Sequence, residues 1–186
     1  KSKDHAIIEE VVKNTNTDEE TLMDLAQDDD DLIRETVSSY TYSVKILEIL
    51  SKDKISTVRI AMARNENTPG KILENILMND ESDYTIKTIL LNPNATTKIL
   101  EKFASNRIFS SAVINHNNVT PVILRKIVEM KDYFIRKQVF SSPKITAEIL
   151  EILSHDPDAD VRMNVARDSR TDLKTLENLL RDKDLY

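Results

Sequence analysis

The feature that most constrains this chain is that it repeats itself. Residues 64–77 read RNENTPGKILENIL, and residues 91–104, twenty-seven positions on, read LNPNATTKILEKFA. Taking the Leu of each KIL as an anchor, equivalents follow at Leu22, Leu47, Leu73, Leu100, Leu124, Leu150 and Leu176, at intervals of 25, 26, 27, 24, 26 and 26. Three residues after each anchor stands another large apolar residue: Leu25, Leu50, Ile76, Phe103, Ile127, Leu153 and Leu179. A period of this length marks a stacked array in which each unit needs its neighbours to bury its apolar face.

Further columns keep the same phase. Six residues before the anchors come Asn16, Thr41, Asn67, Asn94, Asn118, Lys144 and Arg170, and six after come Asp28, Asp53, Asn79, Asn106, Met130, Asp156 and Asp182. Eleven after the anchor, four repeats carry a β-branched residue followed by Arg: Ile33-Arg34, Val58-Arg59, Ile135-Arg136 and Val161-Arg162. Ile86-Lys87 reads as the same pair displaced by two, while SNRIFSSAVINHNN (105–118) lacks both the acidic turn and the Arg.

Each repeat reads as two helices. Thr17, Thr68, Thr96, Thr120, Thr146 and Thr171 sit where the first helix should begin and are expected to cap it, Thr17 with Glu20 as a capping box. Pro69 and Pro121 are expected at the first helical position, and Pro93, Pro143 and Pro157 in loops. The second helix is short, as in VRIAMAR (58–64) and VRMNVAR (161–167), and too short to hold without neighbours. The N-terminal IIEEVVKN matches a second helix, so a partial repeat at 5–13 precedes seven repeats, the last incomplete, in one solenoid domain spanning 1–186.

The pattern Asn-Pro-Asn-Thr, Leu-x-x-Leu-Ala, Asp-Pro-Asp, Val-Arg-x-x-Val-Ala, carried by RNENTPGKILENIL, LNPNATTKILEKFA and ILEILSHDPDADVRMNVARDSRT, resembles the leucine-rich repeat variant family, a relative of HEAT and armadillo repeats. The resemblance implies an all-α fold, a right-handed α-solenoid (α-α superhelix) of short two-helix repeats of about 24–27 residues. It carries over no catalytic residues. The cysteine cluster of some members has no counterpart in a chain without Cys.

Composition narrows the chemistry. One Gly in 186 residues cannot write a dinucleotide or Walker phosphate loop. The absence of Cys removes disulfides, thiolate metal sites and Cys nucleophiles, and fits a cytoplasmic location. No apolar run is long enough to span a membrane. DDDD at 28–31 lacks the Gly and Glu of a calcium loop and reads as a solvated turn. His5, His116 and His155 have no metal-site spacing. A net charge of −6 weighs against nucleic acid as the main partner.

Two sets of residues remain as candidates for partner binding. Arg34, Arg59, Lys87, Arg136 and Arg162 would line up as a basic ladder, open to an acidic peptide or a phosphate backbone. Alternatively, each Arg pairs with the acidic turn before it, or with a carbonyl of the neighbouring repeat, and staples the stack; the acidic turns travel with the arginines, which favours the staple. Tyr84, Tyr133 and Phe134 are placed in irregular inter-helix turns, either exposed for recognition or filling gaps. The expected function is a non-enzymatic protein-binding scaffold without cofactor or metal. The alternative is a nucleic-acid-binding HEAT-like protein related to DNA glycosylases.

Overall fold

A computed structural model describes residues 4–80 and 82–182. Among these residues are fourteen α-helices and one 3₁₀ turn, and no strand. They fall into two compact units, Lys1–Thr96 and Thr97–Tyr186.

The first unit holds α1 (His5–Lys13), α2 (Glu19–Ala26), α3 (Asp31–Tyr40), α4 (Val44–Leu50), α5 (Ser56–Arg64), α6 (Gly70–Asn79) and α7 (Asp83–Leu91). Here α1, α3, α5 and α7, the second helices of successive sequence repeats, pack side by side, while α2, α4 and α6 pack against their partners α3, α5 and α7. The second unit holds α8 (Thr97–Phe103), α9 (Ser110–Ile114), α10 (Pro121–Val128), α11 (Tyr133–Gln138) with its 3₁₀ extension Val139–Ser141, α12 (Ala147–Leu153), α13 (Ala159–Arg167) and α14 (Leu173–Leu179). Within it α9, α11 and α13 pack in sequence, with α10 against α12.

The core follows the sequence columns. The anchors Leu22, Leu47, Leu73, Leu100, Leu124 and Leu150 are buried, as are Leu50, Ile76, Phe103, Ile127, Leu153 and Leu179 three residues on. These two positions lie on one helix face. In the second helices a common frame appears when residues are counted from the N-cap. The third residue is Ile33, Val58, Thr85, Ile135 or Val161 and the seventh is Val37, Met62, Ile89, Val139 or Val165, all buried.

This frame corrects the reading of Ile86-Lys87. From the N-cap Ser82, Thr85-Ile86 occupies the place that Ile33-Arg34 holds in α3, and Lys87 lies one residue further on, exposed. The frame also survives in 105–118. Asn106 accepts the Ile108 N–H on its side chain (2.9 Å) and the Ser110 N–H on its carbonyl (2.8 Å), so Phe109-Ser110 stands in for β-branched-Arg. Phe109 is buried there and packs edge-to-face on Phe103, centroids 5.5 Å apart.

Several caps differ from expectation. Thr120 and Thr146 cap α10 and α12, and Pro121 starts α10. The caps of α2, α6 and α14 are instead Asp18, Pro69 and Asp172. Thr17, Thr68 and Thr171 turn back one position earlier, each hydroxyl donating to a carbonyl six residues before it, those of Val11 (2.5 Å), Met62 (2.7 Å) and Val165 (2.6 Å). The next residue is then left to meet the helix N–H groups, a role that a carboxylate fills well next to the positive end of the dipole.

The single glycine opens α6 where the following loop comes closest. A Cβ at Gly70 would stand 2.5 Å from Thr96 Cγ2 and 2.6 Å from Asn94 O. That loop is held in place, because Asn94 Nδ2 donates to the Thr68 carbonyl (3.1 Å) and the Thr96 hydroxyl donates to Glu74 (2.8 Å). Gly70→Ala should therefore destabilise the chain by about 1–3 kcal/mol through overpacking, although helix propensity alone favours Ala by ~1 kcal/mol. Urea unfolding of the two chains measures which term wins.

Candidate functional site

Four arginines share one geometry. Arg34 Nε and Nη2 donate to the Asp53 carboxylate (2.6 and 3.2 Å), while Nη1 donates to the carbonyls of Asp28 and Asp29 (2.8 and 3.1 Å). Arg136 grips Asp156 (2.6 and 2.8 Å) and the carbonyls of Met130 and Lys131 (2.7 and 2.9 Å). Arg162 grips Asp182 in the same bidentate way, with Nη1 on the Asp156 carbonyl (2.7 Å). Arg59 makes the looser version, with Nη2 on Asp80 (3.0 Å), Nη1 on the Asp53 carbonyl (2.7 Å) and Nε without an acceptor.

The polarity of these bridges differs from the expected staple. The carboxylate comes from the turn that follows each Arg, and the preceding turn contributes only carbonyls. Asp53 and Asp156 each serve twice, the side chain receiving one arginine and the carbonyl the next. The third acceptor is Asp80 and not Asn79, because α6 runs to Asn79 and places Asp80 as its C-cap. Arg34, Arg136 and Arg162 are buried and Arg59 half-buried, so the four do not present a surface ladder; Lys87 alone of the five faces solvent.

Electrostatics agree with this geometry. Burial pushes the Asp53 carboxyl up, but the Arg34 guanidinium and the Ile55 N–H outweigh it and hold the group below the usual carboxylate range. Burial likewise raises Asp80, and the Ser82 N–H and hydroxyl together with Arg59 bring it below that range. Hydrogen bonding to Asp53 and Asp156 raises Arg34 and Arg136 in turn.

A second tie closes the other end of the second helices, in a column that the sequence columns above did not include. The residues eight before six of the seven anchors are Asn14, Asn65, Asn92, His116, Ser142 and Asp168; before Leu47 that place is Ser39, and Thr41 instead accepts the Ser43 N–H (3.2 Å). Each of the six accepts the N–H two residues on, at 2.9 Å for all but Ser142 (3.3 Å). Asn65 Nδ2 also donates to the carbonyls of Ser38 and Thr41 (2.9 and 2.7 Å), and Asn92 Nδ2 to those of Ala63 and Asn65 (2.9 and 3.0 Å). Ser142 reaches the Ile114 carbonyl (2.8 Å). At Asp168 the outward donor is Arg170, which binds the carbonyls of Ser142 and Phe140 (2.8 and 3.0 Å). The signal was a column of side chains able to accept a hydrogen bond at a helix end.

With both ends of the second helices tied, their solvent face is what remains for chemistry. Tyr84, expected in a turn, lies in the first turn of α7 and is 53% exposed; Tyr133-Phe134 likewise opens α11, with Phe134 47% exposed and Tyr133 half-buried. Tyr84, Phe134, Leu32 and Ile108 all fall two residues after the capping residue of their frames, and all four are exposed. Cations of the preceding repeat flank the aromatics: Lys13 lies 4.9 Å from the Tyr40 ring, Arg64 5.6 Å from Tyr84 and Arg107 4.9 Å from Phe134. Arg64 also donates to the Tyr84 hydroxyl.

Between α5 and α7 this face forms an open groove of about 330 Å³ lined by Arg64, Glu66, Tyr84, Lys87, Thr88 and Leu91, floored by Ala63 and Asn92. Leu91 is 67% exposed. The same face between α1 and α3 forms a second groove carrying His5, Glu9, Leu32, Glu35 and Tyr40. The histidines make separate contacts: His5 pairs with Asp30 at the start of α3 (3.0 Å), His116 accepts the Asn118 N–H and His155 contacts the Glu151 carbonyl (3.0 Å).

The chain matches no protein-family model, no curated protein sequence and no solved structure.

Two outcomes check the division between staple and surface. Asp156→Ala strands a buried guanidinium and should cost about 3 kcal/mol, whereas Lys87→Ala should change stability by less than ~0.5 kcal/mol; thermal and urea unfolding measure both. Because the folded-state pKa values of Asp53 and Asp80 are depressed, the unfolded chain takes up those protons first as pH falls. The stabilisation is complete above the ordinary carboxylate value near ~4 and is lost as pH drops through the folded values. Asp53→Asn should lower the melting temperature at pH 7 and flatten its decline below about pH 4, as followed by circular dichroism.

Proposed function

We propose that the chain is a right-handed α-solenoid of the leucine-rich repeat variant kind that works as a non-enzymatic protein-binding module, with the solvent face of its second helices as the binding surface. The observation that carries this reading is the α5–α7 groove. Tyr84, Leu91, Arg64 and Lys87 stand exposed together there, at positions that neither the core nor the staples require. An aromatic and an aliphatic side chain flanked by two cations suit an apolar residue with a neighbouring carboxylate on a partner. The open shape suits a peptide or a protein surface better than an enclosed small molecule.

Nucleic acid is the weaker reading. The four arginines that would supply a basic stripe donate within the chain, and the net charge is −6.

The test is crosslinking capture from cell extract with the native chain and with a Tyr84→Ala/Leu91→Glu variant, alongside melting curves. Loss of captured protein at unchanged melting temperature is expected. Capture of the same proteins by the variant would remove the groove from the reading. Tight binding of DNA or RNA at low salt, lost at high salt, would replace protein by nucleic acid.

A further inference from the structure

In the first unit, one position of the second-helix frame changes sign from helix to helix. The fifth residue after the N-cap is Glu35 in α3, Ile60 in α5 and Lys87 in α7. Because α3, α5 and α7 pack in that order, equivalent positions on them form a line across the layer. Glu35 and Ile60 are half-buried and Lys87 is exposed. Neither Glu35 nor Lys87 has an ion-pair partner among the described residues, although Asp83 lies one helical turn before Lys87. The staple arginines on the same helices point to Asp53 and Asp80. Among the described residues, therefore, none pairs with the carboxylate or the ammonium group.

Resting on the protein-binding reading, we infer that this line recognises an extended peptide carrying a basic, an apolar and an acidic residue in that order from α3 to α7. Packed helices stand about 8–10 Å apart and an extended chain advances about 3.3–3.6 Å per residue. The three recognised residues then fall at roughly every third position. The basic residue meets Glu35, the apolar one rests on Ile60, and the acidic one meets Lys87 with Arg64 beside it in the groove. Charge opposition at both ends fixes the direction in which the peptide lies, and a like-charged residue at either end is rejected.

The experiment displays random nonapeptides on phage and selects them on three forms of the full chain: native, Glu35→Lys and Lys87→Glu. Lys87 is exposed and Glu35 half-buried, and circular dichroism melts check that the folds match. The native chain should enrich peptides with one basic and one acidic residue about six positions apart, around a central apolar residue. Lys87→Glu should enrich peptides with two basic residues, and Glu35→Lys peptides with two acidic residues. By fluorescence anisotropy each substitution should weaken the native-selected peptide at least about tenfold, roughly one close charge pair. Peptides enriched equally on all three forms would overturn this line while leaving the protein-binding reading in place. No enrichment on any form would overturn both.

Discussion

The structure depends on a single side chain bridging two repeats. Each staple arginine reaches back to a carbonyl six residues earlier and forward to a carboxylate 19–21 residues later. Only guanidinium can do this. Its planar fork holds donors on two edges, one for the carbonyl and one for the carboxylate, where an ammonium group would have to choose. The pair is largely removed from water, with Arg136 and Asp156 side chains 7% and 3% exposed. A buried ion pair adds little net stability over apolar packing, but a misregistered one is costly. Its effect is to fix the register in which one second helix meets the next turn.

That constraint also explains how far the repeat can stretch. The carboxylate must arrive where the fork points, so the chain between them tolerates a residue or so of change. Arg34 to Asp53 spans 19 residues and Arg136 to Asp156 spans 20, both bidentate. Arg59 to Asp80 spans 21 and keeps one carboxylate bond, its Nε left without an acceptor. The extra length of α6 is thus absorbed by loosening one staple, and the next second helix then does without one, Ile86 taking the arginine's place.

Much of this was legible because the columns are periodic. The anchors, the residues three after them and the Arg column could be read by counting, and the acidic turns showed that the arginines had partners nearby. What counting could not supply is direction. Sequence proximity favoured the acidic turn just before each Arg, yet stacking brings the following repeat's turn onto the guanidinium. Ile86-Lys87 was misaligned for a related reason. Of the apparent displacement of two residues, one is a single-residue insertion before the helix and the other is the alignment itself, since burial of the fourth position selects Thr85-Ile86 over the charge similarity of Lys87. Thr17, Thr68 and Thr171 looked like caps because their residue type fits, but a hydroxyl can also donate backwards, and the aspartate or proline after each leaves them free to do so.

The same logic indicates where specificity can reside. At the start of a second helix the arginine is fixed by its carbonyl and carboxylate, and at its end Asn65 or Asn92 is fixed by two carbonyls of the preceding repeat. Positions three and seven are fixed by burial. Positions two, five and nine are held by none of these, so the fold accepts Leu32 or Tyr84, Glu35 or Lys87, Ser39 or Leu91 at equivalent places. Exposed apolar residues cost solubility, and unpaired charges beside them add nothing to packing. Under the protein-binding proposal, a face that the scaffold leaves unconstrained, and that nonetheless carries aromatics and opposite charges in a line, is where a partner rather than the fold sets the residue.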